Sequence, residues 1–278
     1  VNLYDAHQHL HFDQLTPHRP AIARDLAAVG VKAVVVNGTN EQEWPVVAAL
    51  AREYPWVVPS FGVHPWDAGN RSPDWLRQLQ AVLVAHPGAG VGEIGLDRWL
   101  LELKPDDPRV AGLRVASLEE QTEVFAAQLA LAAELNRAPS IHCVQAWGAL
   151  HATLKKARLP ARGFLLHGYA GPAEMIRNFT DLGAHYSFNI QLLEPRHAGR
   201  LDNFRHIPVK RLLVETDAPT KPPADGLNRF PLPPAADGSA VNHPANIAVT
   251  YEQLARLRHV PLDILAAQVE QNFRRLFA

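Results

Sequence analysis

The chain has 278 residues, 47% hydrophobic and 20% charged, with a net charge of −1. That is enough for one large core, with one domain as likely as two on length alone, and no basic stripe announces nucleic acid, so attraction for any polyanion must come from a local site rather than a global field. The single cysteine, Cys143, excludes an intrachain disulfide, and no apolar run reaches the roughly 20 residues that cross a bilayer.

Short apolar runs recur along the chain, and most are followed by an amphipathic segment. Residues 3–7 are the first strand candidate. Residues 32–37 are the second, with a helix expected over 44–54. A third strand over 57–63 precedes a helix over 74–85. The fourth, 90–94, leads into a charged, proline-containing insert over 100–117. The clearest helix follows, 119–135, with Val124, Phe125, Leu129, Ala132 and Leu135 at helical spacing. Asn136 just beyond it, and Pro139 opening the next strand, form a stop signal. Strand 140–144 precedes a helix over 147–157, and strand 163–167 one over 173–182. Strands 185–189 and 212–215 follow, then an insert over 218–242 and helices over 243–258 and 262–277.

Most strand candidates are continuously apolar, the pattern of parallel strands covered on both faces. Eight such units imply a closed (β/α)₈ TIM barrel forming one domain over 1–278. An open doubly wound sheet gathers its ligand groups at one switch point. Here candidate groups end strands one, three, four, five, six and eight, and only a closed ring brings those to one rim. Both inserts follow strand C-termini, so both should flank that rim.

His7 and His9 lie two apart on a strand and share a face. Together they can bind one cation. Glu93 has two carboxylate oxygens and can join two cations. Gly92 and Gly95 leave its surroundings open, and no lysine stands near a strand end to serve as a bridging carbamate. His142 and His167 end strands five and six. Asp217 ends strand eight and can both bind a cation and accept a proton from attacking water. His7, His9, Glu93, His142, His167 and Asp217 therefore suit a centre of two divalent ions (Mg, Mn or Zn) about 3.5–4 Å apart. Glu93, Asp217 and His64 are the candidate catalytic groups. His64 is expected beside the centre, on substrate, and Asp5 behind the first histidine. Asp97 is expected to hold loop structure. Cys143 should point away from His142 and pack. His11, His18, His86, His151, His206 and His259 are expected at the surface or on helices.

These motifs resemble the TatD family of metal-dependent deoxyribonucleases. The resemblance rests on Asp5-Ala6-His7-Gln8-His9-Leu10, Gly62-Val63-His64-Pro65, Gly92-Glu93-Ile94-Gly95-Leu96-Asp97, His167-Gly168-Tyr169-Ala170-Gly171, Glu215-Thr216-Asp217-Ala218-Pro219 and Asn272-Phe273-Arg274-Arg275-Leu276-Phe277. It covers nearly the whole chain. It implies a metallo-dependent hydrolase barrel with the same six ligands, and hydrolysis of DNA ends or single-stranded nucleic acid. Three departures stand out. His11 replaces an acid after the first motif. Cys143-Val144-Gln145-Ala146 lacks the arginine that follows the strand-five histidine. Arg98-Trp99 stands where aromatic residues are usual. Arg98 is expected to replace the missing charge on substrate phosphate, and Tyr169, Trp66 and Trp99 to stack on bases. The same centre could instead cleave another ester or an amide, such as an aminoacyl-tRNA ester. A non-catalytic binding scaffold should have lost a ligand, and all six are present. A cytoplasmic enzyme is expected, with no membrane association and no obligate protein partner.

Overall fold

The computed structural model describes residues 1–278. Its eight strands form one parallel sheet in sequence order. They are β1 (Leu3–Gln8), β2 (Val31–Gly38), β3 (Val57–Phe61), β4 (Gly90–Asp97), β5 (Pro139–Val144), β6 (Phe164–Leu166), β7 (Ala184–Phe188) and β8 (Leu212–Val214). The helices are α1 (Arg19–Ala28), α2 (Trp44–Glu53), α3 (Trp75–Ala85), α4 (Leu118–Glu134), α5 (Trp147–Lys156), α6 (Met175–Asp181), α7 (Ala198–His206), α8 (Ile247–Arg258) and α9 (Leu262–Phe277). The expected TIM barrel is the observed fold. β1, β4 and β7 are buried at every position, as parallel strands covered by helices must be.

The ring closes between β1 and the end of β8. Asp217 N donates to His7 O (3.0 Å) and His9 N to Ala218 O (2.7 Å). Asp5 ties the same seam, accepting from His7 N (3.2 Å), Thr216 N (3.1 Å) and Thr216 Oγ1 (2.5 Å). From the helix layer, the Tyr251 hydroxyl donates to Tyr4 O (2.9 Å) and accepts from Tyr4 N (3.0 Å). Closure of the barrel and placement of His7, His9 and Asp217 are thus the same set of bonds.

Two glycines expected to leave space around Glu93 do the opposite. Gly95 has φ +143, and a Cβ there would sit 2.0 Å from His142 O. At Gly92 a Cβ would meet Ser140 Cβ at 2.8 Å. Their missing side chains let β4 pass hard against β5, and Glu93 between them is buried, 4% exposed.

Helix α4 starts on Ser117, whose side chain accepts from Glu120 N. It ends at Asn136, which adopts the left-handed conformation at φ 49. Gln121 and Gln128 on this helix are fully buried and clasp strand ends. Gln128 Oε1 accepts from Val63 N (2.7 Å) while its Nε2 donates to Val63 O (3.0 Å). Gln121 makes the equivalent pair with Asp97 N (2.8 Å) and Asp97 O (3.1 Å). Each amide acts as one more residue of a ladder, fixing the chain beside His64 and after Glu93.

Two helices were not anticipated. α1 buries only Ile22 and Leu26 and carries Pro20 in its first turn, where proline is tolerated. α7 buries only Asn203 and Phe204. Neither presents enough apolar residues to show a period. The glutamine clasp has a direct consequence. Gln128→Leu leaves a buried N–H and a buried C=O unpaired at Val63, and should lower unfolding free energy by about 2–4 kcal/mol in denaturant titration. A change of less than about 0.5 kcal/mol would show that Val63 finds other partners.

Candidate metal centre

The six expected ligands come together inside the upper end of the barrel. His7 lies within β1 and His9 just past it, and His142 lies within β5. His167 follows β6 directly. Asp217 stands three residues beyond β8 in a left-handed conformation, φ 53, which aspartate tolerates better than most side chains. Glu93 is not at a strand end, because β4 continues to Asp97.

Glu93 divides its two oxygens between separate sets of imidazoles. Its Oε2 is 3.3 Å from His7 Nε2 and 3.3 Å from His9 Nε2. Its Oε1 is 3.0 Å from His142 Nδ1, 2.9 Å from His167 Nε2 and 3.4 Å from His64 Nε2. Asp217 Oδ1 completes the first set, 3.7 Å from His7 Nε2 and 3.5 Å from His9 Nε2.

The tautomers follow from what stands behind each ring. His9 Nδ1 donates to the backbone oxygen of Asn37 (2.8 Å), which leaves Nε2 a bare lone pair. His7 Nδ1 lies 2.8 Å from Ser140 Oγ and 3.1 Å from Asn37 Nδ2. His142 turns Nε2 to Asp97 Oδ2 (3.2 Å), and His167 turns Nδ1 to Glu215 Oε1 (3.6 Å). His7, His9 and His142 thus each have one nitrogen within hydrogen-bond distance of a neighbour and the other aimed at Glu93, the arrangement that prepares imidazole for a cation, while His167 Nδ1 faces the Glu215 carboxylate without a hydrogen bond. His7 Nε2 is completely buried and makes no hydrogen bond. Metal–nitrogen bonds of about 2.0–2.1 Å in a tetrahedron separate their donor atoms by about 3.4 Å. The first set lies at 3.3–3.7 Å. The residues present fit a divalent ion there, and Glu93, His142 and His167 fit a second.

Electrostatics agree. Burial drives the His7 imidazole down to about 4, helped by the neighbouring His167. Burial also opposes charge on His9, but Asp217 and Glu93 overcome it and raise His9 to about 10. His167 rises to about 10, against its burial, through Glu93 and Glu215. The cluster demands positive charge, which protons supply when no metal does. Ion binding must therefore expel protons.

Several neighbours differ from expectation. Lys221, in the loop after β8, reaches back to Asp217 Oδ2 at 2.5 Å, so a lysine does enter the site. Asp5 braces the β1–β8 seam rather than a histidine ring. Asp97 holds its loop through Leu100 N (3.0 Å) and also accepts from Trp66 Nε1 (2.8 Å) and faces His142. Glu215, for which the sequence offers no separate role, is fully buried behind His167 with Ser187 and Asn189 on its oxygens. His11 is not at the surface. It is buried, with Nε2 2.9 Å from Glu43 Oε2. Tyr169 is fully buried: its hydroxyl donates to Pro172 O (2.8 Å), and its ring packs on Trp147 and Tyr186. It is a packing residue and cannot stack on substrate. Cys143 packs partly against the core, yet it lines a cavity shared with His142 rather than turning away from it. Burial pushes its thiol up, which keeps it inert. Arg98 is exposed, and its side chain does not line that cavity.

Residues 4–278 match the family described as TatD related DNase. The metal-dependent hydrolase YjjV of Escherichia coli K12 is 30% identical over 275 residues, covering 98% of this chain and 96% of that protein. The 3'-5' ssDNA/RNA exonuclease TatD of Erwinia tasmaniensis is 30% identical over 277 residues, covering 99% of each. The crystal structure of E. coli YjjV aligns with a TM-score of 0.84 at 28% identity, covering 99% of this chain and 97% of that one. On the family match, the shared barrel and the convergence of its strand-borne imidazoles on Glu93, this chain belongs to the TatD family of metal-dependent hydrolases.

Proposed function

We propose that this hydrolase removes nucleotides from the ends of single-stranded DNA or RNA in the cytoplasm, using two divalent ions, Mg, Mn or Zn. The observation that carries the reading is the divided carboxylate of Glu93. One oxygen faces His7 and His9, and the other faces His142 and His167. One ion would sit with His7, His9, Asp217 and Glu93, the other with Glu93, His142 and His167. Bound ions would supply Lewis acidity toward a phosphoryl oxygen and lower the pKa of a water. The name of the Erwinia relative, a 3'-5' ssDNA/RNA exonuclease, supports nucleic acid as the substrate class.

The chain's own residues do the rest. Despite burial, Lys221 and His9 hold the Asp217 carboxyl well below the usual carboxylate range. It therefore remains an anion able to accept a proton from the attacking water. His64 Nδ1 accepts from Trp66 N (3.2 Å), so Nε2 carries the proton and points to the Glu93 side of the site. In that tautomer His64 is a donor rather than a metal ligand, which suits contact with a substrate oxygen. Arg98 remains a weaker candidate for a substrate contact, since it stands exposed at the end of β4.

Two measurements check this reading. A 5'-labelled single-stranded oligonucleotide should be shortened stepwise from its 3' end with Mg²⁺, Mn²⁺ or Zn²⁺ and left intact in chelator. Glu93→Gln should lower kcat by about a thousandfold or more, the scale of metal charge stabilisation. Intact oligonucleotide under every metal, alongside cleavage of carboxylic esters or lactones, would transfer the activity to carbonyl substrates. Separately, Ser140→Ala removes the nearer of the two partners of His7 Nδ1, leaving Asn37 Nδ2 at 3.1 Å, and should weaken metal affinity about tenfold or more in a direct titration. Unchanged affinity would show that Ser140 does not prepare His7.

A further inference from the structure

Beside the centre lies a cavity of about 170 Å³ lined by His142 and His167 together with His197, Arg200 and Lys221. It adjoins a larger one of about 940 Å³, and the two share Cys143, Val144, Ala170, Gln191, His197 and Arg200. Arg196 and Trp147 line the larger space further out. Neither wall contains an aspartate or a glutamate. In a chain of net charge −1, with 28 acidic residues, that exclusion has a chemical direction.

Arg200 is the cation best placed to use it. Arg196 is engaged with Glu194 (2.7 Å) and Lys221 with Asp217. Arg200 has no carboxylate partner. Its Nη1 donates instead to His197 Nδ1 (3.2 Å). Burial and the two neighbouring arginines lower His197, so its ring stays a neutral acceptor and carries its remaining proton on Nε2. The guanidinium is thus oriented by a neutral group that leaves its charge uncompensated, and its other N–H groups remain available in the fork that matches phosphate oxygens.

We propose that Arg200, steadied by His197, forms an anion subsite that grips a phosphate of the substrate strand flanking the bond held at the metal centre. The subsite rests on the nucleic-acid reading above and extends it. Cys143-Val144-Gln145-Ala146 carries no arginine after the strand-five histidine, and Arg200 brings a cation to the same cavity wall from the start of α7. The chain leaves the centre along the larger cavity, past Arg196 and Trp147.

The test is equilibrium binding of a cleavage-resistant, phosphorothioate-linked single-stranded oligonucleotide to the metal-loaded protein, followed by fluorescence anisotropy across a salt series. Arg200→Gln should weaken binding about ten- to a hundredfold, the scale of a charge-assisted hydrogen bond to phosphate. The slope of log affinity against log salt should shrink by about 0.7, one phosphate contact on a single strand. Arg200→Lys should restore the slope. Arg77→Gln, the same loss of charge on exposed α3, should leave affinity and slope as they are. Arg200→Gln binding with wild-type affinity and slope, while wild-type protein binds and cleaves the unmodified strand, would overturn the subsite alone. Wild-type protein that neither binds nor cleaves single strands would overturn the subsite together with the nucleic-acid reading.

Discussion

A buried carboxylate surrounded by imidazoles is the constraint on which this structure turns. Glu93 is 4% exposed and lies within 3.4 Å of ring nitrogens from five histidines. With Asp217 beside it, the cluster is poorly satisfied by the chain alone. His7 Nε2 is buried without a hydrogen bond, and His9 and His167 are pushed toward protonation. Isolated charges so far from water are costly unless paired. Divalent ions would resolve that cost, and the spacing of the donor atoms suits them.

Much of the barrel exists to keep this cluster in register. The bonds that close the ring between β1 and β8 are those that position His7, His9 and Asp217. Gly92 and Gly95 draw β4 against β5 and so place Glu93 near His142. Gln121 and Gln128 pin the strand ends that lead to Asp97 and His64. The arrangement is preorganised by buried backbone and amide contacts, rather than by surface ion pairs, which contribute little.

The parts legible in the sequence were those with a strong local signature. Short apolar runs marked the strands, most of them continuous because both faces of a parallel sheet are covered. A histidine or acid at the end of such a run marked the rim, which is how His7, His9, His142, His167 and Asp217 were found. What escaped was long-range or weakly patterned. Lys221 lies in an aperiodic insert, and only the turn of Asp217 and the loop after β8 bring it back to the centre. Arg200 belongs to α7, whose nine residues bury two side chains and show no helical period. His11 and Tyr169 were misplaced for the opposite reason. Each carries polar atoms that suggested the surface or substrate, yet Glu43 satisfies one and Pro172 O the other inside the fold. Burial of a polar group depends on a partner distant in sequence, and single-sequence reading does not supply that partner.

The central claim is that Glu93 joins two cation sites. Crystals grown with Mn²⁺ and measured at the manganese absorption edge test it most directly. The account predicts two anomalous peaks, one among His7, His9, Asp217 and Glu93 Oε2, the other against Glu93 Oε1 with His142 and His167. A single peak, or two peaks of which neither contacts Glu93, would contradict it.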